Sequence, residues 1–161
     1  MVMIEASERG RPGLATLEAS DGAAVLDLFD RLSPESVYRR YFSPIARRDR
    51  LVALVARIDH VDREAIAAVE SGQVVGMVEY SRAPGTSVAD LAIVVADGWQ
   101  RQGLGTRLVA AASQRAAESG IEGFAIDVQG DNFAALRLFR RVAPGVRMKF
   151  SAGVGEAVIP L

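Results

Sequence analysis

Residues 88–108 read VADLAIVVADGWQRQGLGTRL, and this stretch decides the fold. It begins with a nearly continuous apolar run, which is typical of a central strand covered on both faces. A polar turn follows over residues 97–105, and a long helix is predicted from about Gly103 to Ser119. Glycines at positions 103 and 105 let the backbone approach a ligand closely, and the unpaired N–H groups of a helix start attract anions. The segment therefore predicts a site for a pyrophosphate.

Other phosphate-binding loops fit this segment less well. A Walker A loop requires a lysine that the segment lacks, and the dinucleotide fingerprint requires a third glycine where Leu108 stands. A plain glycine turn between a strand and a helix is the remaining alternative, and two glycines alone do not decide between these interpretations. The choice between a phosphate-binding loop and a plain turn depends on the elements that flank the segment.

The pattern along the rest of the chain indicates one mixed domain. Strands are predicted at residues 14–19, 64–70, 73–81, 123–129, 146–151 and 154–161, and helices after Asp21, after Ser33, and over 48–57 and 132–141. This order of elements predicts an α/β (α+β) single layer of mixed sheet with helices on its faces. Residues 1–13 are expected to be a flexible N-terminus, and residues 14–161 a single domain.

The composition excludes several kinds of chemistry. The 161 residues carry 19 Lys plus Arg against 20 Asp plus Glu, and this balance gives no indication of nucleic-acid binding. Cysteine is absent and histidine occurs once, which excludes a Cys/His zinc site, a disulfide scaffold and a thiol nucleophile. Lys149 is the only lysine, so a Schiff base is not expected. No metal site is predicted.

No segment suggests export or membrane insertion. The first 20 residues carry charges throughout and lack the apolar run of a signal peptide. The longest apolar runs, at residues 51–56 and 91–96, are far too short to span a bilayer. A cytoplasmic protein without a membrane or nucleic-acid partner is therefore the expectation.

A second motif gives the glycine loop its context. After the predicted strand at 123–129, residues 132–139 read NFAALRLF. With the strand and loop of residues 88–106, this motif resembles the GNAT-type N-acetyltransferases. In that family an apolar strand precedes Gln/Arg-x-x-Gly-x-Gly/Ala, and a later helix begins with Asn-x-x-Ala-x-x-Leu-Tyr. The resemblance implies a mostly antiparallel sheet of six to seven strands, helices on both faces, and acetyl-CoA as the cosubstrate.

A closer resemblance is to the acetyltransferase domain of bacterial protein lysine acetyltransferases. It is carried by residues 32–44 (LSPESVYRRYFSP), 59–65 (DHVDREA) and 89–92 (ADLA), and it covers about residues 14–161. It implies direct transfer of an acetyl group to a protein lysine. The alternatives are a small-molecule amine as the acceptor, and an acyl-CoA-binding regulatory module without turnover. The expected partner is the acceptor amine, and the expected state is a monomer or homodimer.

The resemblance also assigns contacts with acetyl-CoA. The backbone of Ile93, Val94 and Val95 would pair with the pantetheine arm like an added strand. Asn132 would contact the cosubstrate near the pantetheine. The amides of the glycine loop would hold the pyrophosphate, and the residues concerned are Arg101, Gln102, Gly103, Leu104, Gly105 and Thr106.

Two aspartates are candidates for the general base that deprotonates the amine. Asp90 is the first, because the lysine acetyltransferases resembled here place a glutamate at this point of the central strand; its shorter side chain would act through a water. Asp127 is the second, since some family members carry a glutamate near that place. The alternative for each is an ordinary strand residue, bonded to a loop or solvated. Phe139 replaces the family's tyrosine general acid, so water or another residue would protonate the thiolate.

Other polar residues have simpler interpretations. His60 lies in a charged stretch and is expected to be a surface or loop residue. Arg39-Arg40 and Arg47-Arg48 form a basic patch, which is either a solvated helix face or a contact for the CoA 3′-phosphate or an acidic protein partner. Because the chain has no cysteine, one lysine and one histidine, it has no evident covalent carrier for an acyl group. This favours direct transfer.

Overall fold

The computed structural model describes residues 1–6, 8, 10–43 and 47–161, so Pro44 of the stretch quoted above lies outside the described residues. The strands in these ranges are β1 (Val2–Glu5), β2 (Gly13–Thr16), β3 (Arg63–Glu70), β4 (Gln73–Arg82), β5 (Val88–Val95), β6 (Gly123–Gln129), β7 (Lys149–Ser151) and β8 (Val154–Pro160). The α-helices are α1 (Gly22–Asp30), α2 (Pro34–Tyr41), α3 (Arg48–Val55), α4 (Leu104–Glu118) and α5 (Phe133–Val142). Short 3₁₀ turns at Ala19–Asp21 and Asp97–Trp99 precede α1 and follow β5.

All eight described strands join one sheet in the order β1-β2-β3-β4-β5-β6-β8-β7. Among them only the β5–β6 pair is parallel. The predicted mixed, mostly antiparallel sheet with helices on both faces is therefore confirmed. The strand count exceeds the predicted six to seven because β1 lies within residues 1–13, where no strand was predicted. Its side chains are mostly exposed and its backbone pairs with β2, so no alternating apolar pattern marks it.

Two hydrophobic cores lie on opposite faces of the sheet. Strand β3 shows the division: Ile66 and Ala68 belong to the core under α4 and α5, whereas Ala65 and Ala67 belong to the core under α1, α2 and α3. This alternation follows from the two-residue period of a strand. Because the central strands are covered on both faces, they appear in the sequence as continuous apolar runs.

The helix boundaries follow from local chemistry. Ser33 caps α2, since its Oγ accepts a hydrogen bond from Ser36 N at 3.2 Å. Asn132 caps α5 in the same way, with Ala135 N donating at 3.2 Å. After α4 the chain turns at Gly120, whose φ of 72° is a conformation that glycine adopts without strain. None of the described helices combines the length and apolarity that crossing a bilayer requires.

Candidate active site

Strands β5 and β6 run side by side over only three residue pairs. They pair in parallel from Val88 with Gly123 to Asp90 with Ala125 and then separate, while β6 stays paired with β8 along its length. Beyond this point a cleft of about 710 Å³, which we call the strand cleft, lies beside the end of β5. Its lining comes from the end of β5, the following loop, the starts of α4 and α5, and one face of α2. This volume is in the range of small-molecule and cofactor sites.

The free edge of β5 presents backbone groups to the strand cleft. The amide of Ala96 donates to the carbonyl of Val75 at 2.9 Å, in line with the β4–β5 register. Because antiparallel strands exchange hydrogen bonds at every second residue, Val94 bonds to β4. Ile93 and Val95 therefore direct their N–H and C=O groups to the other edge, where the strand cleft lies. The carbonyl of Val95 accepts a hydrogen bond there from Gln100 Nε2 at 3.0 Å, so the groups left for a ligand are the backbone of Ile93 and the N–H of Val95. A ligand with amide groups can pair with this edge.

The loop after β5 leaves backbone amides free at the start of α4. Gly103 has a φ of 81° and is the N-cap of the helix, and its carbonyl accepts from Arg107 N at 3.2 Å. The N–H groups of residues 104–106 therefore have no partner within the helix. They carry the partial positive charge of the helix start. This arrangement suits a pyrophosphate, as the sequence predicted.

The predicted loop residues contribute in different ways. Those that line the strand cleft are Arg101, Gly103, Gly105 and Thr106. The Gln102 side chain instead donates to Gly98 O at 2.8 Å, and the Leu104 side chain is buried in the core under α4 and α5. These two residues therefore offer only their backbone to a ligand.

Arginines on α5 add positive charge to the strand cleft. Arg137 and Arg141 line it together with Asn132 at the helix start. Helix α5 lies close to α4 because Gly105 has no side chain: a Cβ there would meet Leu138 Cδ2 at 3.2 Å. The free amides, the arginines and the open β5 edge together fit the phosphates and the pantetheine arm of the predicted acetyl-CoA.

Asp97, in the turn after β5, holds the start of α2 beside the strand cleft by hydrogen bonds. Its carboxylate accepts hydrogen bonds from Ser33 N at 2.9 Å, Ser33 Oγ at 2.7 Å and Ser36 Oγ at 2.9 Å. Partial burial opposes the charged form, but the bonds from Ser33 and Ser36 outweigh it and lower the pKa of Asp97. Trp99, in the same turn, lines the strand cleft and packs against both hydrophobic cores.

A second cavity, of about 540 Å³, lies between α3 and the sheet, and we call it the α3 cavity. Glu79 and Ser81 of β4 line its floor together with Asp90 and Ala92 of β5. Asp90 lies opposite Ser81, and Glu79 lies opposite Ala92. Directly opposed residues share a face of the sheet, so the two carboxylates are diagonal neighbours. The structure thus brings the first base candidate together with a second carboxylate.

Glu79 is a site residue that was not predicted from the sequence. Its side chain is 12% exposed and is ion-paired with Arg40 of α2, which lines the strand cleft. Burial raises the pKa of Glu79, and the positive charge and hydrogen bond of Arg40 oppose the rise. Its Oε2 is buried and has no hydrogen-bond partner among the described residues. The available signal was one carboxylate inside the apolar run of residues 74–80.

The structure does not bring the second base candidate to either cavity. Asp127 is exposed on β6, opposite Glu156 of β8, and it lines neither the strand cleft nor the α3 cavity. Phe139, which the resemblance aligns with a tyrosine, is buried in the core under α4 and α5. The site geometry therefore sets Asp90 apart from Asp127.

His60 is held by carboxylates near the start of β3. Its Nδ1 lies 3.0 Å from Glu64 and its Nε2 lies 3.2 Å from Glu18. Burial opposes the charged imidazole, but the hydrogen bonds with Glu64 and Glu18 outweigh it and raise the pKa of His60. Glu64 is buried and also pairs with Arg115 of α4. Across the described ranges, no three His, Asp or Glu side chains are grouped as metal ligands would be.

The sequence matches the model of the acetyltransferase (GNAT) family over residues 24–143. This match spans most of the chain and includes the strand cleft and the floor of the α3 cavity. The chain therefore belongs to the acetyltransferase (GNAT) family. The predicted class, an acetyl-CoA-dependent N-acetyltransferase, is confirmed.

Three solved structures share the fold. The GNAT domain of S. lividans PAT has a TM-score of 0.83 and 24% identity, covering 93% of this chain and 90% of that chain. A GNAT superfamily phosphinothricin acetyltransferase from Sinorhizobium meliloti, in complex with AcCoA, has a TM-score of 0.74 and 15% identity. The match covers 94% of this chain and 89% of that chain. The PaiA N-acetyltransferase from Thermoplasma acidophilum, in complex with coenzyme A, has a TM-score of 0.73 and 12% identity. The match covers 92% of this chain and 98% of that chain. The ligands in these two complexes agree with the predicted cosubstrate.

Proposed function

We propose that this protein transfers the acetyl group of acetyl-CoA directly to the side-chain amine of a protein lysine. The observation that carries the proposal is the position of the two cavities on β5. The strand cleft is lined from Ile93 onwards and the α3 cavity up to Ala92, and Arg40 in the lining of the first is ion-paired with Glu79 in the lining of the second, so the two linings are in contact. A thioester on one side and an amine on the other would meet there, which removes the entropic cost of their encounter.

The lysine acceptor has its own support. Residues 32–44, 59–65 and 89–92 resemble the protein lysine acetyltransferases, and the fold is similar to that of the GNAT domain of S. lividans PAT. The lining of the α3 cavity also includes the carboxylate of Asp90, which has no ion-pair partner among the described residues and would attract a lysine ammonium group. The cytoplasmic location and the monomeric or homodimeric state stay predictions.

The chain's own groups would hold acetyl-CoA, which supplies the acetyl group as an activated thioester. The free N–H groups of residues 104–106 would bind the pyrophosphate, and Arg137 and Arg141 would bind the remaining phosphate. The backbone of Ile93 and the N–H of Val95 would pair with the pantetheine amides. The same strand edge would stabilise the negative charge that develops on the thioester oxygen.

Asp90 is the proposed general base. It faces the α3 cavity, where it can accept the proton of the incoming ammonium directly or through a water. Glu79 lies beside it and is ion-paired with Arg40, so Asp90 is the carboxylate of this pair of neighbours that is left for the amine. Asp127 remains the second candidate for the base. Phe139 has no hydroxyl, so the departing thiolate takes its proton from water or from another residue.

One observation favours a second candidate function, an acyl-CoA-binding module without turnover. The tyrosine that commonly acts as the general acid in the family is replaced by a buried phenyl ring at Phe139. Such a module would bind acetyl-CoA in the strand cleft and leave it intact. Measurements of turnover and of binding together distinguish the two functions.

The test is thiol release from acetyl-CoA with lysine peptides and a panel of small amines, alongside calorimetric binding of acetyl-CoA. We expect turnover with lysine peptides. Asp90→Asn should lower kcat by roughly 100-fold and leave the Kd for acetyl-CoA unchanged, because a positioned base contributes about 10²–10⁴-fold. Glu122→Gln, an exposed carboxylate outside both cavities, is the control.

Each other result has a defined meaning. Binding without turnover on any amine would establish the regulatory module. Turnover on small amines but not on lysine peptides would show that the acceptor is a small-molecule amine. A loss of turnover in Asp127→Asn but not in Asp90→Asn would move the base to Asp127. If acetyl-CoA does not bind, both functions are wrong.

A further inference from the structure

Helix α3 lines its cavity with positive charge that the chain does not neutralise. Arg50 and Arg57 are exposed and both line the α3 cavity. They lie seven residues apart, which is about two helical turns and puts them on one side of α3 and its continuation. Neither forms an ion pair with a described residue.

The neighbouring arginines differ in this respect. Arg47 pairs with Asp49, and Arg48 pairs with Asp30. Of the same predicted basic patch, Arg39 and Arg40 pair with carboxylates of α2 and β4. The patch that the sequence predicted is therefore largely neutralised within the chain. The cationic side chains left for an external anion in this region are those beside the α3 cavity.

The interior of the α3 cavity suits the shape of a lysine side chain. Its walls include Ala53, Leu54 and Ile58, which offer an apolar surface to an aliphatic stem. The carboxylates of Glu79, which is paired with Arg40, and of Asp90, which is exposed, also line the cavity, and the amine would arrive beside them. A lysine so placed leaves its flanking residues at the rim, beside the arginines.

We propose that the α3 cavity selects lysines that have acidic residues close by in the acceptor, with Arg50 and Arg57 binding the acidic side chains. This rests on the proposed function. Arg57 lies two residues beyond the end of α3 at Val55, so the backbones of the two arginines are about 10 Å apart along the helix axis, at about 1.5–2 Å per residue. An extended acceptor advances about 3.3 Å per residue, so carboxylates two to four positions from the lysine lie within reach.

The test compares two lysine peptides that differ only in charge. One carries Glu two to four positions on either side of the lysine, and the other carries Gln at the same places. We expect kcat/KM to be roughly 3- to 30-fold higher for the Glu peptide, which corresponds to two partly solvated ion pairs. The preference should shrink as salt is added, because exposed charges are screened.

Variants assign the preference to particular residues. Arg50→Gln combined with Arg57→Gln should bring the ratio of the two kcat/KM values to about one. Arg47→Gln combined with Arg48→Gln removes the same charge from the same helix outside the cavity and should keep the wild-type ratio. Arg50→Glu combined with Arg57→Glu should invert the preference towards a peptide that carries Arg at the flanking positions.

The outcomes separate this inference from the proposed function. Equal rates on the Glu and Gln peptides, or a preference that depends on Arg47 and Arg48, would overturn the acidic selectivity and leave lysine acetylation standing. Acetylation of free amino acids without any peptide acetylation would overturn both. The absence of turnover on every lysine peptide, with acetyl-CoA still bound, would overturn the proposed function itself.

Discussion

The guanidinium group of Arg40 on α2 hydrogen-bonds the buried carboxylate of Glu79 on β4 and connects the linings of the strand cleft and the α3 cavity. The two side chains are 14% and 12% exposed. At this depth an unpaired charge is costly, whereas the loss of both charges together is tolerated. The pair therefore links the position of α2 to the lining of the α3 cavity.

We expect Arg40→Met to lower the free energy of unfolding by about 3 kcal/mol, because it leaves a buried carboxylate without its partner. Combining Arg40→Met with Glu79→Met should recover much of this loss. Chemical denaturation measures both values. Arg39→Met, which breaks an exposed pair with Glu35 on the same helix, is the control and should cost at most about 1 kcal/mol. If the double variant lost as much free energy of unfolding as the two single variants together, Arg40 and Glu79 would not be coupled.

Gly103→Ala should weaken the binding of acetyl-CoA and destabilise the protein. A side chain at a φ of 81° costs about 1–2 kcal/mol of strain, equivalent to a fall in Tm of roughly 2–8 °C. Relief of that strain would turn the loop amides away from the pyrophosphate. The control is Gly98→Ala, because Gly98 has no positive φ and an added Cβ there would meet no atom within 4 Å. Calorimetry and thermal melting would reject the prediction if the two variants behaved alike.

Asp97→Asn should detach α2 from the strand cleft and cost about 1 kcal/mol, an amount reduced by the exposure of the carboxylate. The pKa of Asp97 is lowered from 3.8 in the folded state, so its contribution is present above about pH 3.8. The contribution is lost as the pH falls through the folded-state pKa. The stability difference between wild type and variant should therefore narrow in acid. A difference that is constant with pH would show that the charge has no part in it.

His60 should make stability depend on pH near neutrality. Its pKa is raised above 6.5 in the folded state, so its contribution is fully present below pH 6.5 and is lost as the pH rises through the folded-state pKa. The expected change is at most about 1 kcal/mol, because the ion pairs are partly solvated. Urea unfolding at pH 6 and pH 8.5 should show a stability difference in wild type that His60→Gln abolishes. If His60→Gln kept the same stability difference between pH 6 and pH 8.5, the pH dependence would belong to another group.

Most of the fold could be predicted because its signals are local. The apolar run before the glycine loop, the Ser33 cap and the Asn132 cap each depend on residues within one helical turn or one strand. The strand β1 could not be predicted, since it is held by pairing with β2, from Val2 with Thr16 to Glu5 with Leu14, and its own side chains are mostly exposed.

The candidate site was predictable in part for the same reason. The loop residues and Asp90 belong to contiguous motifs. The structure places Asp90 in the lining of the α3 cavity and four of the six loop residues in the lining of the strand cleft, namely Arg101, Gly103, Gly105 and Thr106. Glu79 was missed because its partner Arg40 is 39 residues away in the chain. For the same reason, the basic patch could not be recognised from the sequence as largely neutralised. Such pairings follow from the packing of helices on the sheet, which one sequence does not display.

The single tryptophan of the chain, Trp99, lies at the junction of the strand cleft and both hydrophobic cores. Its indole is thus a native optical reporter. A ligand that enters the cleft changes the solvent around the ring, and the loosening of either core changes its packing. Ligand binding in the strand cleft and unfolding of the protein can accordingly both be followed by intrinsic fluorescence in one unlabelled sample.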